Sequence, residues 1–305
     1  MDRILKLGTR ASPLALAQAN QAAAALAAVH GWDGERIEIV TVTTTGDRVQ
    51  DRPLAEIGGK ALWTKELDRA LSDGRVDFCV HSMKDVESER PPSFTIAAIL
   101  PRADVRDRLI GADSIDSLPA GAVVGTSSPR RAAQLLRLRP DLRIIPFRGN
   151  VQTRIDKVGA GEVDATMLAA AGLDRLGLET GAAVPASVML PAPGQAAIGI
   201  ECRSDDQQLI ALLDAASHGP SHACVSAERA FTRALGGSCA SPVAALAEIA
   251  GGSMILRCAL YSADGLDCVA DEALVEPGDD RVPEEMARAM LARASRSIRS
   301  LFEEA

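Results

Sequence analysis

Five arginines and one cysteine suggest the chemistry of this chain. The arginines lie beside Gly or Ser at predicted strand-to-helix junctions and are Arg10, Arg130, Arg131, Arg148 and Arg154. Cys239 lies in a Gly-rich turn, residues 235–242. Guanidinium groups bind carboxylates through paired hydrogen bonds, and a thiolate near cations is nucleophilic. We therefore expect a carboxylate-rich ligand, bound by the arginines and anchored covalently through the thiol.

Two further groups of residues fit this chemistry. Ser12 and Ser128 each precede a proline at a predicted helix start, where unpaired backbone N–H groups attract anions. Lys84 and Asp85 follow a predicted strand, where ligand crevices form in open α/β sheets. Lys84 would bind an anion, and Asp85 would stabilise positive charge on the ligand. His81 is a possible general base, but we expect it to be structural.

Composition limits the classes of function. A net charge of −8 disfavours binding to nucleic acid. None of the six cysteines forms a C-x-x-C pair, which disfavours a zinc site. The first residues lack the pattern of a signal peptide, and the Ala-rich stretch 14–29 contains polar residues that a membrane span would lack. We therefore expect a cytoplasmic monomer that binds neither membrane nor metal.

The elements that would position these residues alternate between β-branched runs and helical patterns. This alternation predicts a largely parallel sheet with helices on both faces. The predicted strands are 4–7, 36–44, 76–80, 122–126, 143–147 and 163–168. The predicted helices begin at Ser12-Pro13 and Ser128-Pro129 and cover 64–73 and 150–160.

Two short sequence segments recur in the same order in both halves of this region. Residues 8–13 (GTRASP) are echoed by 125–129 (GTSSP), and residues 74–77 (GRVD) by 161–164 (GEVD). The shared order predicts two similar domains with the ligand in the cleft between them.

From about residue 220 the pattern changes. A helix over 221–235 precedes three strand-like runs, 243–249, 253–261 and 267–275, and a terminal helix over 282–303. Consecutive strands followed by a helix predict a small α+β domain with an antiparallel sheet.

At this point the motifs match a known family. Together and in order they resemble those of the porphobilinogen deaminases, also called hydroxymethylbilane synthases, over nearly the whole chain. The matching segments are 8–15 (GTRASPLA), 58–60 (GGK), 80–85 (VHSMKD), 125–131 (GTSSPRR), 148–154 (RGNVQTR), 191–195 (PAPGQ), 199–203 (GIECR) and 239–242 (CASP).

The resemblance implies a transferase of tetrapyrrole biosynthesis. Such enzymes join four porphobilinogen molecules head to tail, release ammonia at each step and hydrolyse off hydroxymethylbilane. The resemblance places a dipyrromethane cofactor on Cys239 as a thioether and the catalytic carboxylate at Asp85. It also implies that cofactor and substrate are bound by Arg10, Ser12, Lys60, Ser82, Lys84, Thr126, Ser127, Ser128, Arg130, Arg131, Arg148, Gly149, Arg154 and Gln195.

The implied fold is α/β, with two similar type II periplasmic-binding-protein-like domains and a smaller C-terminal α+β domain. The expected boundaries are 1–98 with 195–217 for domain 1, 99–194 for domain 2, and 218–305 for domain 3, which carries the cysteine loop. The chain departs from the family's pattern at Ala61, Trp63, Glu87 and Ala196, where Gly, Phe, Pro and Gly are usual.

Two other functions are compatible with parts of this pattern. A two-lobed module that binds or senses an anionic ligand would use the same helix starts, but it would not need the Cys239 turn. A cysteine-nucleophile hydrolase would pair Cys239 with His81, but it lacks a third residue to orient the base.

Overall fold

The computed structural model describes residues 3–32, 35–42, 64–236 and 241–303. The strands among them are β1 (Leu5–Arg10), β2 (Ile37–Val42), β3 (Phe78–Ser82), β4 (Phe94–Ile99), β5 (Asp107–Ile110), β6 (Val123–Gly125), β7 (Arg143–Ile145), β8 (Ala165–Ala169), β9 (Ala182–Val184), β10 (Ile198–Arg203), β11 (Val243–Ala250), β12 (Ser253–Tyr261) and β13 (Cys268–Val275). The α-helices among them are α1 (Pro13–His30), α2 (Lys65–Ser72), α3 (Pro129–Leu138), α4 (Val151–Gly159), α5 (Ala170–Arg175), α6 (Gln207–Asp214), α7 (Gly219–Ala234), α8 (Arg281–Arg293) and α9 (Arg296–Glu303).

The chain divides into two compact units. Unit 1 comprises Met1–Ala103 and Ala197–His222, and unit 2 comprises Asp104–Ala196 and Ala223–Ala305. Unit 1 is therefore discontinuous in sequence. The division into three domains at the boundaries given above stays a prediction.

Each unit contains a five-stranded sheet with the same plan. The strand orders are β2-β1-β3-β10-β4 in unit 1 and β7-β6-β8-β5-β9 in unit 2. In both sheets the first three strands are parallel, and the fourth is antiparallel to both of its neighbours. The prediction of two similar α/β domains is confirmed. The prediction of a largely parallel sheet is also confirmed, because four of the five strands in each sheet run in the same direction, although the sequence patterns did not identify β4, β5, β9 and β10.

An aspartate bridge repeats in the two sheets. In unit 1 the Lys6 N–H donates to Asp77 Oδ2 at 2.7 Å, and the Asp77 N–H donates to the Lys6 carbonyl at 2.8 Å. In unit 2 Val123 and Asp164 make the same two bonds, at 2.7 and 2.9 Å. Both aspartates come from the recurring Gly-x-Val-Asp segments, so the sequence echo reflects equivalent positions in the two sheets.

The two Ser-Pro helix starts are capped as predicted. Ser12 Oγ accepts the Ala15 N–H at 3.3 Å before α1, and Ser128 Oγ accepts the Arg131 N–H at 3.4 Å before α3. A proline follows each cap and lacks the N–H that would otherwise be left unpaired. Ser12 lies two residues after the end of β1, and Ser128 lies three residues after the end of β6.

The C-terminal part of unit 2 contains the antiparallel sheet β11-β12-β13. Its inner face packs with α7 and α8 around a core that includes Phe231, Leu256 and Met290. The predicted single terminal helix is wrong, because Ala294 adopts an extended conformation (ψ 152°) that separates α8 from α9. The predicted fold class, two α/β domains with a smaller α+β part, is confirmed.

Ala196 has a left-handed backbone conformation, with φ of 69°, and no other described non-glycine residue has a positive φ. The side chain of an L-residue in this region clashes with its own backbone, at a cost of about 1–2 kcal/mol. We expect Ala196→Gly to raise the free energy of unfolding by about 1 kcal/mol, because glycine removes this clash at the expense of some chain entropy. Urea denaturation followed by circular dichroism measures this difference.

The matched control is Ala24→Gly at an exposed, right-handed position within α1. The free energy of unfolding of that variant should fall by about 1 kcal/mol, because glycine is a poor helix former. If the free energy of unfolding rises in Ala196→Gly and falls in Ala24→Gly, the difference is explained by the backbone conformation at the two positions. A loss of stability in Ala196→Gly would contradict the expected strain at Ala196.

Candidate active site

The predicted residues of unit 1 lie at the carboxyl ends of neighbouring strands. Arg10 ends β1 and Ser12 follows it, while Ser82 ends β3 and precedes a 3₁₀ turn, Met83–Asp85. β1 and β3 are adjacent and parallel, so these strand ends lie side by side. The structure thus brings Arg10, Ser12, Ser82, Lys84 and Asp85 to one edge of the sheet.

The turn that carries Asp85 is anchored by backbone bonds. The Met83 N–H donates to the Ala197 carbonyl at 3.0 Å, and the Val86 N–H donates to the Met83 carbonyl at 3.3 Å. Met83 is buried whereas Asp85 is exposed. The turn therefore presents a carboxylate to solvent from a fixed backbone.

Ser82 is held by a partner that the sequence analysis missed. Gln18, a buried residue of α1, donates from Nε2 to Ser82 Oγ at 2.8 Å, and Ser82 Oγ donates to Gln18 Oε1 at 3.1 Å. The period of the Ala-rich helix places Gln18 on its inner face, but only the folded structure shows its partner.

His81 is buried in a polar cluster, and its expected structural role stays a prediction. It is 6% exposed, and its Nε2 lies 2.9 Å from Glu201 Oε2. Burial alone would raise the pKa of the Glu201 carboxyl, but His81 and Arg90 outweigh burial and lower that pKa to about 2. His81 is therefore part of a buried ion cluster, because a nitrogen of its ring contacts a charged carboxylate of β10.

In unit 2, Thr126, Ser127 and Ser128 form the loop between β6 and α3. The Ser128 N–H donates to Thr126 Oγ1 at 3.1 Å. Ser127 Oγ donates to the Phe147 carbonyl and accepts the Phe147 N–H, both at 3.0 Å. Ser127 thus joins this loop to the segment that follows β7, and the two predicted parts of the site lie next to each other.

The segment after β7 contains Arg148, Gly149 and Arg154. Gly149 has a φ of 127°, and a Cβ there would lie 2.8 Å from Thr153, so only glycine fits. Asn150 caps α4, and Arg154 Nε donates to the Gly149 carbonyl at 2.9 Å. Arg148 Nη1 is buried and has no hydrogen-bond partner within the described part of the chain. A carboxylate ligand would satisfy such a nitrogen.

Arg130, Arg131 and Gln195 converge on a buried carboxylate, Asp107. Arg130 Nη2 and Arg131 Nη2 donate to its two oxygens at 2.7 Å each, and Gln195 Nε2 donates at 3.0 Å. The other Nη atoms of the two arginines donate to the carbonyls of Leu190 and Met167. Both arginines are almost fully buried. Their predicted role in ligand binding stays a prediction, whereas their role in this cluster is observed.

The charges in this cluster set the ionisation of Asp107. Burial alone would raise the pKa of its carboxyl, but Arg131 and Arg130 outweigh burial and hold that pKa well below the ordinary value. The sequence analysis missed Asp107. The only signal available was a carboxylate within the Arg106-Asp107-Arg108 run at the start of a strand that was itself not predicted.

Arg175 is a second residue that the sequence analysis missed. It ends α5, the helix directly after β8, and its Nη2 donates to the Ala196 carbonyl at 2.7 Å. Its Nε is buried without a hydrogen-bond partner in the described ranges. Burial lowers the pKa of its guanidinium.

Some predicted residues fall outside the described ranges. These are Cys239 and Lys60, together with the departures Ala61 and Trp63. Their assignments remain predictions from the sequence.

Two protein-family models match most of this chain. Residues 5–211 match the model described as "Porphobilinogen deaminase, dipyromethane cofactor binding domain", and residues 222–292 match "Porphobilinogen deaminase, C-terminal domain". The chain belongs to the porphobilinogen deaminase family. Membership in this enzyme family confirms the resemblance and disfavours the alternative of a binding module without catalysis.

Curated relatives extend the match to almost the full length. A porphobilinogen deaminase of Sphingopyxis alaskensis is 56% identical over 99% of this chain and 97% of its own length. One of Paracoccus denitrificans is 48% identical over 90% of this chain and 89% of its own length. The deaminase match therefore includes both α/β domains and the C-terminal part.

Solved structures also align with this chain. The nutrient-binding protein of Burkholderia cenocepacia bound to methionine aligns over 72% of this chain and 94% of its own, at 17% identity and a TM-score of 0.44. Separately, no helix among the described residues is long and apolar enough to cross a membrane.

Proposed function

We propose that this chain joins four porphobilinogen molecules head to tail on a dipyrromethane primer bound to Cys239, and then hydrolyses off hydroxymethylbilane. The match to both deaminase family models carries this proposal. The proposal includes a monomer that acts in the cytoplasm, and light scattering coupled to size-exclusion chromatography tests the monomer.

Asp85 is the proposed catalytic residue. Loss of ammonia from the substrate leaves an electron-poor methylene carbon that is conjugated with a positively charged pyrrole nitrogen. A carboxylate that accepts a hydrogen bond from the pyrrole N–H stabilises this charge as it develops. Asp85 is suited to this role because it is exposed on a turn whose backbone is anchored to Ala197, the residue before β10.

The polar groups at the two sheet edges are the proposed binding groups for the acetate and propionate side chains of the ligands. Arg10, Ser12 and Lys84 supply donors on unit 1, and Ser127, Ser128, Arg148 and Arg154 supply them on unit 2. Every added pyrrole brings two carboxylates, which explains why an acidic protein places arginines at helix starts.

The described residues fit the dipyrromethane cofactor. The unsatisfied Nη1 of Arg148 lies in the segment before the N-terminus of α4, where a carboxylate is favoured by both the guanidinium and the helix dipole. When bound, the cofactor supplies the pyrrole carbon to which the first substrate is joined. The protein's own contribution is to bind the carboxylates and to hold Asp85 in place.

Intact mass spectrometry of the denatured chain tests the proposal. We expect the wild-type chain to carry an added mass equal to two linked porphobilinogen-derived pyrroles, because a thioether survives denaturation. Cys239→Ser should lack this mass, whereas Cys268→Ser, which removes a partly buried thiol with a raised pKa, should retain it.

An unmodified wild-type chain should acquire the adduct on incubation with porphobilinogen. Failure to do so would contradict the proposed function. An adduct retained in Cys239→Ser would leave the function intact but move the attachment point.

A further inference from the structure

A buried polar cluster lies beside the turn that carries Asp85. Its members are one arginine, one histidine and three carboxylates, namely Arg90, His81, Asp68, Glu87 and Glu201. The Arg90 side chain is 7% exposed and the Glu201 side chain is fully buried. Removing one partner from such a cluster leaves an uncompensated buried charge, which strongly destabilises the observed arrangement of the remaining groups.

Arg90 is the centre of this cluster. Its Nε donates to Glu201 Oε1 at 2.7 Å, and its Nη1 donates to Glu87 Oε2 at 2.9 Å. Its Nη2 donates to Asp68 Oδ1 at 2.5 Å and to Glu201 Oε2 at 3.0 Å. The planar guanidinium fixes the directions of these donors, whereas a lysine ammonium is a single point charge. Only an arginine can therefore hold all three carboxylates in this arrangement.

The three carboxylates belong to different parts of unit 1. Asp68 lies on α2, Glu201 lies on β10, and Glu87 follows the turn by two residues. The hydroxyl of Thr64, before α2, also donates to Glu87 Oε1 at 3.1 Å. Arg90 thus ties the segment after the turn to both a helix and a strand.

The cluster also reaches the other side of the turn. His81 lies on β3, four residues before Asp85, and shares Glu201 with Arg90. The chain is therefore held at His81 before the turn and at Glu87 and Arg90 after it. Glu87 stands where the family usually has proline, so the Glu87–Arg90 pair is a feature of this sequence.

We propose that Arg90 is a positioning residue for the reaction, fixing the Asp85 carboxylate by holding Glu201 on one side of its turn and Glu87 on the other. This inference rests on the proposed function, because it requires Asp85 to act in catalysis. Arg90 itself is buried and acts only through the turn. A displacement of a catalytic group by about 1 Å can cost about 100-fold in rate.

The test compares Arg90→Lys and Arg90→Met with the wild-type holoenzyme. The concentration of cofactor-loaded sites is taken from intact mass, so that kcat refers to loaded, folded enzyme. We expect kcat to fall by about 10- to 100-fold while KM changes far less, because only Lys84 among the proposed carboxylate-binding residues of unit 1 lies on the displaced turn, whereas Arg10 and Ser12 lie outside it. Amide hydrogen exchange in residues 83–90 should become faster in both variants.

Arg257→Met is the matched control. Arg257 also contacts two carboxylates, Glu248 and Glu272, but on an exposed face of the C-terminal sheet. The kcat and KM of Arg257→Met, and its amide hydrogen exchange in residues 83–90, should equal those of the wild type. Glu87→Ala removes the contacts of Glu87 with Arg90 and Thr64 at a side chain that is 23% exposed, so it should fold and show a smaller fall in kcat and a smaller change in KM than the Arg90 variants.

The outcomes distinguish the positioning role of Arg90 from the catalytic role of Asp85. Wild-type kcat in loaded Arg90→Lys and Glu87→Ala, even with a lowered melting temperature, would mean that the cluster is only structural. If Asp85→Ala is inactive in the same assay, the proposed function stands and only the positioning role is lost. If Asp85→Ala is fully active, the assignment of Asp85 fails first.

Discussion

Replacing Asp85 with alanine is expected to abolish turnover while leaving the fold intact. The carboxylate is the proposed stabiliser of positive charge on the pyrrole, and removal of one such electrostatic group costs about 10²–10³-fold in rate. Because Asp85 is exposed, its loss leaves no buried partner uncompensated. Release of ammonia and of hydroxymethylbilane, measured for equal amounts of folded protein, gives the size of the effect.

Two variants accompany this measurement. Asp205→Ala removes an exposed aspartate of the same unit and should keep both activity and stability. Asp85→Glu keeps the charge but lengthens the side chain, and it should recover part of the turnover. Normal turnover in Asp85→Ala would show that another group stabilises the charge.

The second large effect is expected at Asp107, and it concerns stability. Asp107→Asn leaves Arg130 and Arg131 buried without their shared anion, so the free energy of unfolding should fall by about 3–5 kcal/mol. The control is Asp174→Asn, which breaks the partly exposed pair with Arg108 on the same strand. A pair of that kind contributes about 0–1 kcal/mol. Equal losses in the two variants would contradict the special role of Asp107.

The Asp107 effect should depend on pH in one direction. Its folded-state pKa is lowered, so its contribution is fully present above the pKa of an unfolded aspartate, about 3.9. The contribution is then lost as pH falls through the folded-state value. The stability difference between wild type and Asp107→Asn should therefore be constant from pH 7 to pH 5 and shrink only below about pH 4. Urea unfolding at several pH values measures this.

The sequence predicted the features that depend on local interactions. The caps at Ser12 and Ser128 were predictable because each serine binds a backbone N–H three residues away. The repeat was predictable because both copies keep the same short segments. The proximity of the polar residues at each sheet edge was predictable because they follow the carboxyl ends of neighbouring parallel strands.

The buried ion clusters were not predictable in the same way. Arg131 and Asp107 are 24 residues apart, and Arg90 and Glu201 are 111 residues apart. Sequence patterns marked Arg130 and Arg131 as ligand-binding residues because a guanidinium that binds a ligand and one that binds a buried aspartate look alike in sequence. Which partner each arginine takes is decided by the order of strands, and the antiparallel strands had not been recognised.

The position of β10 has a consequence for biosynthesis. β10 lies between β3 and β4 in the sheet, yet it begins at Ile198, whereas β4 ends at Ile99. A ribosome adds about 5–20 residues per second, so the nascent chain exposes two unpaired strand edges for several seconds. The five-stranded sheet of unit 2 is complete in sequence at Val184. Of the two five-stranded sheets, the one that is translated first is therefore the last to be completed, and until then its unpaired edges are exposed to pairing with other chains.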